Sequence, residues 1–99
     1  MKILYVDDIR IPKVWQKDNN EIVICRTYAE AIKQANNSYD VIDLDHDLGE
    51  VKTGYDFCKY IVENNIVAPF IVLHTSNPVG RNNMKQLLER YTQSKIILM

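Results

Sequence analysis

Ninety-nine residues, 46% of them hydrophobic, with a net charge of −1, describe one packed domain spanning 1–99 rather than a disordered segment. That charge argues against a broad electrostatic grip on nucleic acid. The longest apolar runs, Phe70–Leu73 and Ile96–Met99, are far too short to span a bilayer.

The segments alternate strand and helix along the chain. Lys2–Val6 is a continuous apolar strand that stops at Asp7-Asp8, too early for a signal peptide. Ile9–Asn20 carries Pro12 and no helical period, and reads as a loop. Glu21–Arg26 is a second strand. Thr27 and Glu30 are spaced as a capping box, followed by Tyr28, Ala31, Ile32 and Ala35 on one helix face. Val41–Leu44 is a third strand running into Asp45-His46-Asp47-Leu48-Gly49. Gly54, Phe57, Cys58, Ile61 and Val62 mark a second helix with Thr53 as its cap. Phe70–Leu73 is a fourth strand, leading into His74-Thr75-Ser76-Asn77-Pro78. Met84, Leu87, Leu88 and Tyr91 mark a third helix, and Lys95–Leu98 a last strand. The helices are expected near 28–36, 54–64 and 80–92. Cys25 and Cys58 sit among apolar neighbours with no metal-like spacing, and read as core thiols of a cytoplasmic protein.

The strands are apolar on both alternating sets, the pattern of a parallel sheet covered on two faces. Three helices cannot cover both faces when three successive crossovers share one handedness. The second cover is expected from the loop bearing Ile9, Ile11, Val14 and Trp15, or from a second copy of the chain. A homodimer is therefore expected.

Ligands of open parallel sheets bind beyond the carboxyl ends of the strands. Here three strand ends bear chemistry: Asp7, Asp8 and Arg10; Asp45, His46 and Asp47; His74, Thr75, Ser76 and Asn77. Both histidines of the chain are among them. Asp7, Asp8 and Asp45 would repel one another without a divalent cation, a cationic side chain or raised pKa values. Hard oxygen ligands suit Mg2+ or Mn2+, with Asp47 a further candidate ligand. Asn77-Pro78 reads as a helix cap, and a helix start favours an anion. Arg10, Ser76, Asn77, Arg81 and the amides around Gly80 are thus candidates to cradle a phosphate. His46 and His74 can then divide the acid and base roles.

The acidic pair, Asp45 after the third strand, Gly54 opening the next helix, and Thr75 or Ser76 after the fourth strand resemble response-regulator receiver domains. That resemblance implies a flavodoxin-like fold with a five-stranded parallel sheet in the order 2-1-3-4-5. It also makes Asp45 the phosphoacceptor position, with Mg2+ at the acidic pair. The chain departs from receivers in the histidines at 46 and 74, in lacking the lysine that ends the receivers' last strand, and in its reduced or missing first and last helices. It is more closely similar to a divergent receiver-like group predicted to process cyclic phosphates. That group's motifs are matched by Asp7-Asp8-Ile9-Arg10, by Leu44-Asp45-His46-Asp47-Leu48-Gly49, and by His74-Thr75-Ser76-Asn77-Pro78-Val79-Gly80-Arg81-Asn82-Asn83-Met84. The last match adds Thr75 and Asn82 to the phosphate-binding candidates.

The expectation is a phosphoesterase acting on a cyclic phosphate or cyclic nucleotide. His46, His74 and Asp45 would be its catalytic residues, with Asp7, Asp8, Asp45 and Asp47 available to a metal. The alternatives are a signalling receiver phosphorylated on Asp45, or a nucleotide binder without turnover.

Overall fold

The computed structural model describes residues 1–99. Five strands, β1 (Lys2–Val6), β2 (Glu21–Cys25), β3 (Val41–Leu44), β4 (Phe70–Leu73) and β5 (Lys95–Leu98), pair in parallel in the order β2-β1-β3-β4-β5. Three helices, α1 (Tyr28–Gln34), α2 (Gly54–Glu63) and α3 (Pro78–Tyr91), make the crossovers. This is the expected receiver-like architecture. None of the helices is long and apolar enough to cross a membrane.

The caps follow the sequence with small shifts. Thr27 accepts from the Glu30 amide, but Glu30 reaches one residue further back than a capping box requires, to the amide of Arg26 at 2.6 Å. Thr53 and Asp56 close a full reciprocal box on α2. Helix α3 starts at Pro78, two residues before the expected position, because Asn77 caps it and a proline is tolerated in the first turn. Helix α1 stops at Gln34, where Ala35 turns extended.

Topology decides which face each connection covers. From β2 to β3, β4 and β5 the chain always moves the same way across the sheet, so right-handed crossovers put α1, α2 and α3 on one face. There Leu4, Val6, Ile42, Leu44, Ile71 and Leu73 pack against Ala31, Phe57, Ile61, Met84 and Leu88 in the main core. The step from β1 to β2 runs the other way, so its connection must cross the opposite face. That connection is the loop, tightened at Lys13–Trp15 into one 3-10 turn. Trp15 packs over Ile3, Val41 and Val72. Within the single chain, Trp15 alone covers this face from the loop; Ile9, Ile11 and Val14, expected to share the cover, are exposed.

Helix α2 is pressed onto the loop that follows β3. The Gly54 amide donates to the His46 carbonyl at 2.7 Å, and a Cβ at Gly54 would overlap the Asp45 carbonyl oxygen. Since that obstacle is backbone, Gly54→Ala is expected to lower stability by about 1–3 kcal/mol, as overpacked cores do. A urea melt would measure it. An unchanged midpoint would show that the segment carrying Asp45 and His46 yields freely.

Candidate functional site

The sheet's hydrogen bonding continues one residue past three adjacent strands. The amides of Asp7, Asp45 and His74 donate to Cys25, Val6 and Leu44 at 3.1, 2.9 and 3.1 Å. Backbone pairing alone thus sets these three residues side by side at the carboxyl edge. Asp7 is fully buried, while Asp45 and Thr75 are nearly so.

On the loop-covered side, His74 is held at both ring nitrogens. Nε2 meets Asp7 Oδ2 at 2.8 Å, and Nδ1 pairs closely with Asp43. Its ring lies flat on Tyr5, with centroids 4.9 Å apart. Asp43 belongs to β3 itself, opposite Tyr5 in the register. Its second oxygen accepts the indole N–H of Trp15 at 2.7 Å. Burial opposes a charge on His74, but the bonds and charges of Asp43 and then Asp7 outweigh it and raise its pKa. Burial likewise works against an ionised Asp7. The amides of Arg10 and Ile9, and then His74, overcome it and hold Asp7 below the ordinary carboxylate value. The result is an imidazolium fixed between two carboxylates.

Arg10 completes this arrangement. Its guanidinium donates to the His74 carbonyl at 2.8 Å and lies 4.0 Å from both Asp7 and Asp45. Arg26 pins the segment by donating to the carbonyls of Asp7 and Arg10. Asp7, Asp45 and His74 offer ligand atoms within 4.8 Å of one another. A resident divalent cation nevertheless does not fit them as arranged. Both Asp7 oxygens and both His74 nitrogens are already bonded, and a guanidinium stands beside the carboxylates. The repulsion expected among the aspartates is met by the chain's own cations. Asp8 turns elsewhere, its carboxylate facing Gly49 in the loop after β3.

His46 is a separate case. Its Nδ1 meets Asp47 Oδ1 at 3.0 Å. Asn77 bridges from the start of α3, with Nδ2 3.3 Å from Asp47 and Oδ1 accepting the Gly80 amide at 3.0 Å. Hydrogen bonding from His46, and then from Asn77, holds Asp47 below its ordinary pKa. In the tautomer with its proton on Nδ1, facing Asp47, the ring leaves the Nε2 lone pair free; the Asn77 amide lies farther from Nδ1, at 3.4 Å. Nε2 makes no hydrogen bond, yet no buried polar atom lacks a partner, so it faces solvent. The ring lies against Gly80, where a Cβ would overlap it. Of the two histidines, His46 alone presents a free ring nitrogen.

The phosphate-cradle candidates divide similarly. The Gly80 amide is taken by Asn77 Oδ1 and the Arg81 amide by the Asn77 carbonyl. The Thr75 hydroxyl accepts the Asn77 amide at 3.1 Å. The cap thus consumes donors that the sequence reading assigned to an anion. Ser76 and Asn82 are exposed, and the half-buried Arg81 side chain makes no bond or ion pair, which leaves these three available. Asp43 was not among the sequence candidates. Its signal was a lone charge inside an otherwise apolar buried strand, which demands a partner.

Residues 2–90 match the family described as the cyclic-phosphate processing Receiver domain. Two solved structures share the fold. One, which fuses residues 181–211 of the yeast Spc42 trimeric coiled coil to another protein, is 22% identical with a TM-score of 0.67; the match covers 98% of this chain and 67% of that one. The other is a response regulator receiver domain protein from Clostridium thermocellum, 18% identical with a TM-score of 0.64, covering 98% of this chain and 80% of that one. No curated protein matches the chain.

Proposed function

Because the chain belongs to the cyclic-phosphate processing receiver family, we propose that it is a phosphoesterase that opens a cyclic phosphate, most naturally in a cyclic nucleotide, without a resident metal. The observation that carries the reading is His46, tied at Nδ1 to Asp47, wedged on Gly80 and open at Nε2. Water attacks phosphorus while Nε2 takes its proton. The ring P–O bond breaks, and the proton returns through solvent to the leaving oxygen. Arg10 and Arg81 supply positive charge for the phosphate. His74 acts as a fixed cation between Asp7 and Asp43, Arg10 stands beside Asp7 and Asp45, and Arg81, which makes no ion pair, is the uncommitted charge for an anion. We further propose a cytoplasmic homodimer that buries the loop-covered face of the sheet, where Ile9, Ile11 and Val14 are exposed.

The test is incubation with 2′,3′- and 3′,5′-cyclic mononucleotides, with and without EDTA. Linear phosphate is expected at equal rates in both. Loss of turnover in EDTA would restore the metal and overturn the metal-free mechanism. No turnover, with an acyl phosphate on Asp45 after treatment with a small phosphodonor, would make the chain a signalling receiver instead.

A further inference from the structure

Asp47 is a weak orienting group on its own. Its side chain is 64% exposed against 17% for that of His46, and a pair so open to solvent holds little geometry. A carboxylate free to swing into water leaves the imidazole free to exchange its proton between the two nitrogens. Something else must hold Asp47 against the ring. The only other side chain bonded to Asp47 is that of Asn77.

The two ends of Asn77 cannot be exchanged. The Gly80 amide can only donate, so the Asn77 atom 3.0 Å from it is the oxygen. The amide nitrogen is thereby turned toward the loop after β3, where Asp47 Oδ2 and Oδ1 lie at 3.3 and 3.5 Å. The carboxylate thus faces two donors from different elements, Asn77 Nδ2 on one side and His46 Nδ1 at 3.0 Å on the other. The same helix start supplies the seat of the ring, since a Cβ at Gly80 would overlap it.

We propose that Asn77 is a positioning residue, which reaches from the start of α3 to Asp47 and through it holds His46 with the proton on Nδ1 and with Nε2 bare. The residue pattern placed Asn77 on the phosphate; in the structure both of its ends are engaged within the protein. The proposal deepens the phosphoesterase reading and takes from it the role of His46 as base. The tautomer that Asn77 fixes, however, exists without substrate and can be observed without turnover.

Asn77→Ser separates capping from positioning. Serine caps a helix about as well as asparagine, but it stops one bond short of the amide nitrogen that meets Asp47. Imidazole 15N chemical shifts distinguish the two tautomers, and with two histidines in the chain the His46 signals are those absent from His46→Ala. At mildly alkaline pH, wild-type His46 is expected in the Nδ1–H form and Asn77→Ser in a mixture of both. With the cyclic mononucleotides as substrates, kcat should fall roughly 10–100-fold in Asn77→Ser, as when a partner that orients a working histidine is removed, while KM stays unchanged. In a His46→Ala background the same substitution should cost nothing further, because it acts only through that ring. Wild-type His46 protonated on Nε2, an Nδ1–H form that survives in Asn77→Ser, or a further loss in the His46→Ala background would each overturn the proposal. Asn77→Asp, which also caps but sets a second carboxylate against Asp47, carries the same spectral test if the serine variant does not fold. A wild-type protein without turnover would refute the phosphoesterase and leave the nitrogen spectra to decide the role of Asn77. Turnover with a tautomer indifferent to Asn77 would do the reverse.

Discussion

Replacing His46 by alanine is expected to cut turnover of a cyclic phosphate by roughly 10²–10⁴-fold, the usual worth of a positioned acid–base group, with the native circular dichroism spectrum retained. The expectation rests on asymmetry. Both imidazoles stand at the same sheet edge, but only His46 keeps a nitrogen free of protein partners. A carboxylate that orients an imidazole works through it, so Asp47→Asn should lower the rate in the same direction while leaving His46 in place. Initial rates across pH for the wild type and both variants would check this. A folded His46→Ala protein with full turnover would remove His46 from the chemistry.

Replacing His74 by alanine is expected to act on folding. It strips the shared cation from Asp7 and Asp43, whose side chains are 0% and 4% exposed. Removing one member of a buried ion pair costs roughly 3–5 kcal/mol, because the charge left behind has no partner. That is a large share of the about 5–15 kcal/mol that holds a domain together. The pH dependence follows from the shifts. His74 has a folded pKa above its ordinary 6.5, so its stabilisation is complete below 6.5 and is lost as pH rises through the raised value. Asp7 has a folded pKa below 3.8, so its stabilisation is present above 3.8 and is lost as pH falls through the lowered value. Urea midpoints should therefore be highest between about 3.8 and 6.5. His74→Asn should flatten the decline on the alkaline side. A wild-type midpoint that climbs above pH 6.5 would contradict the buried imidazolium.

Much of this was legible in the amino-acid sequence, for physical reasons that also mark where it stopped. Strand boundaries showed because apolar runs end abruptly at Asp7, Asp45 and His74, and backbone pairing then fixes those residues as neighbours. The face-by-face assignment of the helices followed from strand order and handedness. What the sequence did not disclose was the division of labour between the histidines. His74 is the first residue after β4 and His46 the second after β3, so alternation sends them to opposite faces of the sheet, but the partners that fix each ring leave no mark in the sequence. The difference lies in Asp43, which reaches His74 from within a strand, and in Asp47 and Asn77, which meet at His46 from separate loops. The amides of Gly80 and Arg81 at the start of α3 look open in the sequence, whereas Asn77 takes both. Long-range side-chain pairing of this kind leaves no periodic trace.

The unequal covering of the sheet has a consequence for motion. One face is sealed by three helices over a core of sixteen buried residues, the other by a loop over three. Excursions that lift the loop expose far less apolar surface than excursions that detach a helix, so they occur at much lower free energy, as partial openings rather than global unfolding. The indole–carboxylate bond between Trp15 and Asp43 is the latch on that opening. Breaking it admits water to Asp43 and the imidazolium while the helical layer stays intact. The charged heart of the molecule therefore exchanges with solvent through its thinnest wall.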